Sequence, residues 1–282
     1  MRKVALLILA VVAAFILMPA QTALAQQCVG LANAPTAPGR QLVQPVGFKL
    51  APFELAQARV VPSKQGPVTF TFIGHASFLI ESPDGVKIIT DYNDYVRSPV
   101  VPDIITMNIS HDSHWSRAPD PRIKHVLPGW NPTGRGPVEH DIKVGDVQVR
   151  NIPTNTRDWG GGTREFGNSV FVFEIAGLCI AHLGHLHHEL THQQVGLIGQ
   201  MDILLVPVDG GYTLDLEGMA EVLKGLKARV MIPMHFVSSY GLERFLRRVR
   251  QDFEIVENAV PTVRFSRTSL PEKQQVVVLP GR

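Results

Sequence analysis

Five histidines fall within eleven positions in the stretch HLGHLHHELTH, residues 182–192. Imidazoles at that density can ligate a transition metal or move protons near neutral pH. The stretch also spells His-Glu-Leu-Thr-His, the H-E-x-x-H pattern of zinc peptidases. That chemistry needs a helix, where residues four apart share a face and both rings reach one ion. Here Thr191-His192-Gln193-Gln194 is a T-x-x-Q capping box, so the spacing predicts a helix that begins at His192 and leaves His188 and Glu189 outside it. Upstream, Gly184 and the strand-like GLCIAH leave no room for the helical turns the motif requires. The peptidase reading fails on position.

The other chemistry-bearing residues gather where strand patterns end. His111 and His114 follow IITMNIS, His185 follows CIAHLG, and His235 follows VMIPM. Sites in layered α/β folds are built at such ends. His182, His187 and His188 are expected to be solvated loop residues, and His125 and His140 have no partner in the pattern. Asp112, beside His111, is a candidate general base, with the capping of the next turn as its plainer role. The three glycines of DWGGGTREFGN precede a strand and lack the Lys-Ser/Thr of a phosphate loop. They are read as a mobile flap.

Strands and helices must position these groups. VTFTF alternates; SFLIESPDGVKIIT, HDIKVGDVQVRNI and SVFVFEIAGLCIAHL read as hairpins turning at Pro83-Asp84-Gly85, Gly145-Asp146 and Ala176-Gly177. Beyond them helix and strand patterns alternate: THQQVGLIGQM, DILLVPV, LDLEGMAEVLKGLK, ARVMIPMHF, LERFLRRVRQDF and QQVVVLP. Hairpins followed by β-α-β-α predict an α/β domain of sheets covered by helices.

The N-terminus reads differently. Arg2 and Lys3 precede a short apolar run, Pro19 and Ala23-Leu24-Ala25, the plan of a secretory signal peptide cleaved after Ala25. Residues 1–25 are therefore expected to be a leader, residues 26–66 a Pro-rich arm, and residues 67–282 the folded domain. Export predicts a periplasmic or secreted protein without stable membrane association after cleavage. Losing Arg2 and Lys3 from 27 basic residues leaves 25 against 25 acidic ones. Nothing in that balance suggests a nucleic-acid or anionic-membrane partner, and the partner expected is a small-molecule substrate. An oxidising compartment permits a bridge between Cys28 and Cys179. With Cys28 near a new terminus and Cys179 in an apolar run, the two are read as unrelated thiols.

Six segments in order, FIGHASFLIES, IITD, PDIITMNISHDSHWS, IAHLGHLHHELT, DILLVPVDGGYT and VMIPMHF, resemble the metallo-β-lactamase superfamily, most closely the branch of ascorbate-6-phosphate lactonase and related Zn-dependent hydrolases. The resemblance implies a four-layer αββα sandwich with a one- or two-metal site at the sheet edge. The family pattern His-x-His-x-Asp-His is kept only at His111; its other positions fall on Ser113, Trp115 and Ser116. A later histidine falls on Thr156, the bridging Asp on His185, and the last ligand is kept as His235.

The standard binuclear site therefore cannot form. His111, His114, His185 and His235 are the expected ligands of one metal, zinc first, because an all-nitrogen set suits transition metals better than Mg or Ca. Asp91 matches the family's carboxylate that holds a metal histidine. His75, in GHASF, is expected behind the ligands, orienting one of them. The implied activity is hydrolysis of an ester, lactone or phosphoester by metal-bound hydroxide at a mononuclear site. The rival is a non-catalytic binding or metal-holding protein of the same fold.

Overall fold

The computed structural model describes Cys28 and residues 66–281, apart from positions 99 and 159. The expected leader and nearly all of the arm lie outside the described residues. Fourteen strands and three helices follow: β1 Val68–Gly74, β2 Ser77–Glu81, β3 Lys87–Ile89, β4 Ile104–Met107, β5 His125–Pro128, β6 Asp141–Val144, β7 Val147–Arg157, β8 Thr163–Ile175, β9 Leu178–His182, α1 His192–Ile198, β10 Ile203–Pro207, α2 Leu216–Leu226, β11 Val230–Met234, α3 Ser239–Val249, β12 Glu254–Glu257, β13 Thr262–Phe265 and β14 Gln275–Val278.

Two sheets result, ordered β13-β1-β2-β3-β4-β5 and β12-β14-β11-β10-β9-β8-β7-β6. The three expected hairpins form antiparallel pairs β2·β3, β6·β7 and β8·β9. The later alternation gives parallel pairs β9·β10 and β10·β11. β10 and β11 are buried along their whole length, as expected of parallel strands covered on both faces. Between the sheets, Phe70, Phe72 and Phe78 meet Phe171 and Phe173 in one apolar cluster. Each buried aromatic of this kind contributes roughly 1.5–3 kcal/mol, so the slab holds the two edges in fixed register.

On the outer face of the second sheet, Met219, Leu223, Phe245 and Val249 of α2 and α3 pack over Leu204, Val206 and Met231. Over the first sheet the fourth layer is thin. Among the described residues it consists of loop side chains, including Tyr92, Val96, Trp115 and Trp130, laid on Ile73, Ile89, Ile105 and Met107.

Three expectations need correction. Cys28 and Cys179 are joined in a disulfide, and Cys28 is buried in the helix-side core. Its carbonyl accepts a 2.8 Å bond from the Arg150 guanidinium, which also holds Leu197 O and Ile198 O. The glycine-rich stretch is a hairpin end between β7 and β8, not a flap: Asp158 Oδ1 accepts the Gly160 and Gly162 amides, both at 2.8 Å. His182 and His187 are buried; of the three histidines read as solvated, only His188 is exposed.

Candidate metal centre

The C-terminal ends of β1, β3, β4, β9, β10 and β11 deliver His75, Asp91, Asn108 with His111 and His114, His185, Asp209, and His235 to one edge of the sandwich. His75, Asp91 and His235 have φ of 52°, 44° and 57°. Three left-handed non-glycine residues at one site mark backbone held by its surroundings. A 2.7 Å bond from the His235 N–H to His75 O stitches the two strand ends together. Gly184 (φ 61°) allows the chain to turn under the site, because a Cβ there would overlap the amides of Asn168 and Asn108. Those amides are occupied: Asn168 Oδ1 accepts the His185 N–H at 2.8 Å, and Asn108 Nδ2 donates to Asp91 Oδ1 at 3.0 Å.

His75, His111, His114 and His235 each offer a ring nitrogen, all within 4.8 Å of one another. Of the four expected ligands, three belong to this group. His75, expected behind them, is the fourth member, and its Nε2 is buried without a partner. His185 stands edge-on to the other three, its ring centroid 4.7 Å from His111, 4.8 Å from His114 and 4.7 Å from His235.

The tautomers follow from the partners. His114 Nδ1 lies 2.5 Å from Asp91 Oδ2, so the proton on Nδ1 leaves a lone pair on Nε2. His235 Nδ1 lies 2.8 Å from Asp209 Oδ2, in ion-pair contact but off the line of a hydrogen bond, which again favours Nδ1–H. The two Nε2 atoms then face each other at 3.1 Å. Two neutral lone pairs repel at that distance, so the pair calls for a cation between them. Two nitrogens bound tetrahedrally to one zinc stand about 3.3 Å apart, close to what is found.

Charge fits the same reading. Burial, then the neighbouring His235 and His111, lowers His75 to about 4. Burial and nearby histidines also lower His111, and push His114 and His185 well below the usual range. These rings are neutral at pH 7, and none must lose a proton before its lone pair can be used. Burial raises the Asp91 carboxyl, opposed by His182 and the Asn108 amide. Burial also works to raise Asp209, but the adjoining His235 and Thr213 and the Gly211 amide outweigh it and hold the carboxyl below its usual range.

Asp209 was not singled out by the sequence. Its Oδ1 accepts the amides of Gly211 and Tyr212 at 2.8 and 2.5 Å. The only sequence signal is an Asp just past a buried strand, before Gly-Gly. His187 was also missed: its Nδ1 accepts the Arg157 amide at 2.7 Å, and its Nε2 lies 2.5 Å from His185 Nδ1. Asp112 is exposed at the cleft mouth and forms no cap. The cleft, about 590 Å³, is lined by Tyr95, Ser110, His111, Asp112 and Ser113.

A family profile described as the β-lactamase superfamily domain matches residues 69–235. The chain belongs to the metallo-β-lactamase superfamily. A structure titled as a candidate Zn-dependent hydrolase of this superfamily, from Thermotoga maritima, is 31% identical, with a TM-score of 0.55, covering 75% of this chain and 98% of that one. UPF0173 metal-dependent hydrolases of Carboxydothermus hydrogenoformans and Archaeoglobus fulgidus are 27% and 24% identical, each over 59% of this chain and 83% and 82% of their own lengths. The α/β sandwich and the superfamily expected from the six segments are thus borne out.

Proposed function

We propose that this protein is an exported metal-dependent hydrolase of a small ester, lactone or phosphoester, with one transition-metal ion, zinc first, held by His75, His111, His114 and His235. The observation that carries the reading is the pair of Nε2 atoms at 3.1 Å, each on a ring whose Nδ1 faces a carboxylate, Asp91 fully buried and Asp209 partly so. Relatives named metal-dependent hydrolases support it. With one coordination position left to water, such an ion would supply Lewis acidity for a carbonyl or phosphoryl oxygen and lower the pKa of that water toward neutrality, whereas all four rings bound at once would close the site.

The chain's own groups have separable tasks. Asp91 and Asp209 orient His114 and His235 and keep their inner nitrogens unprotonated. Asp112 is the exposed carboxylate lining the cleft, and its proposed task is to accept a proton from an attacking water. Ser110 Oγ, buried in the cleft lining without a partner, is available to a polar atom of the substrate. The Cys28–Cys179 bridge supports export, since such bonds persist in oxidising compartments.

The test is elemental analysis of the purified protein together with hydrolysis of ester, lactone and phosphodiester panels. About one zinc per chain is expected, with metal and turnover both lost in His114→Ala and His235→Ala. A metal-free protein whose behaviour those variants leave unchanged overturns the reading.

One observation favours the non-catalytic rival. Ser113 Oγ is committed to His111 Nδ1 at 2.8 Å, Ser116 Oγ to Asp94 at 2.6 Å, and Trp115 packs against Trp130 beneath Arg117. Of these three positions of the family pattern, two thus serve hydrogen bonding and one packing. Stoichiometric metal without turnover on any panel selects the rival.

A further inference from the structure

Seven large apolar side chains are exposed among the described residues. Three of them follow the site strands: Tyr212 (68% exposed) in the loop three residues after Asp209, Val237 (86%) in the loop just after His235, and Tyr240 (68%) in the first turn of α3. Val237 leads into α3, whose buried side is Phe245, Leu246 and Val249. Opposite that side, at spacings of four and seven, lie Tyr240, Arg244 and Arg247, all exposed. Neither arginine has a carboxylate within ion-pair distance among the described residues, whereas Arg248, one position on, is tied to Glu217 and Asp252. Arg250 adds a further exposed cation, and Glu243 is the exposed carboxylate of the same helix. The patch therefore carries a net positive charge on a chain whose expected mature form is neutral.

We propose that the outer stripe of α3 and the Val237 loop form a docking face for an anionic lipid surface. Arginines alone would suit any polyanion. Val237 decides between partners, because a nucleic acid offers nothing to an exposed aliphatic tip, whereas the boundary between headgroups and acyl chains does. Tyrosine beside arginine is the pairing that settles at that depth. No described helix is long and apolar enough to cross a membrane, so the docking is reversible and peripheral.

Co-sedimentation of the leader-processed chain with vesicles tests this, comparing phosphatidylglycerol–phosphatidylcholine mixtures with phosphatidylcholine alone. Binding is expected to the anionic vesicles and to fall with added salt. Arg244→Gln/Arg247→Gln is expected to weaken it on the order of 25-fold, from about fivefold per cation. Val237→Ser/Tyr240→Ser is expected to weaken it about tenfold through lost apolar contact. The variants are surface changes, and an unaltered urea midpoint confirms their fold. No binding, equal binding to neutral vesicles, or indifference to both variants overturns the proposal; so does a wild type that self-associates through this face and ignores vesicles. The readout needs no metal and no turnover, so its failure leaves the hydrolase reading standing.

Discussion

Replacing His75 by Asn in chelator-treated protein tests whether this ring is held neutral by burial. Its pKa falls from 6.5 unfolded to about 4 folded. Between those values the unfolded chain binds a proton that the folded chain refuses, so stability falls as pH drops through that window. The full shift corresponds to roughly 3 kcal/mol at one site. His111, His114, His185 and His187 are lowered as well and act in the same direction. Asp91 and Glu174, both raised by burial, act oppositely, since the folded chain then takes up the proton first. Comparing wild type with His75→Asn removes the contributions of groups remote from His75 and leaves His75 together with its coupling to Asp91, His114 and the other adjoining rings. Asn is the suitable replacement because it tolerates the left-handed φ of 52°. Urea midpoints from about pH 7 to pH 4 are expected to show wild type losing about 3 kcal/mol more than the variant. Parallel curves refute the neutral-ring argument, and with it the claim that the nitrogen is free to ligate without first losing a proton.

Three further outcomes are expected. Cys28→Ala, or reduction of the wild type, removes a cross-link spanning 151 positions and is expected to cost about 5 kcal/mol of unfolded-state constraint, read as a drop in the guanidinium midpoint that Cys28→Ala no longer shows on reduction. Asp209→Asn keeps the loop's size but removes the charge facing His235, and is expected to weaken zinc binding roughly 10- to 100-fold in a chelator competition. Ala176→Asn places a residue suited to φ of 51° at the β8–β9 turn beside Gly177 and is expected to raise stability by about 0.5–1 kcal/mol in thermal melts.

What the sequence made legible was set by pattern length. β1, β7 and β10 are alternating or continuously apolar over enough positions to be recognised, and Thr191 with Gln194 forms the expected capping box, each accepting the other's backbone amide. β5, β12 and β13, four residues each with mixed exposure, carry too little period to stand out. Polarity misled at HLGHLHHE, where a run that reads as a wet loop places His182 and His187 indoors. His182 is satisfied there by Ala76 O and the Gly184 amide, partners no local pattern reveals. Asp209 looks like an ordinary turn residue because it is one; facing His235 is a second task for the same carboxylate.

His185 shows how far a single backbone amide can reach. The Arg157 N–H donates to His187 Nδ1, which puts the His187 proton on Nε2, aimed at His185 Nδ1. Neutral His185 must then carry its own proton on Nε2, which points at His111 Nε2 across 2.9 Å. His111 completes the chain from Nδ1 to the Ser113 hydroxyl, so its Nε2 lone pair, which here accepts the His185 proton, is open to a metal once that contact parts. In this arrangement His185 has no lone pair to offer a metal, although it stands where the resembling pattern keeps a bridging carboxylate. An imidazole committed in this way cannot do what a carboxylate does there, which is to lend one oxygen to each of two cations. Exchanging Asp for His at that position therefore removes a bridge without adding a ligand. His75, with an unpartnered nitrogen on the other side of the group, is the ring left to complete a single-ion set.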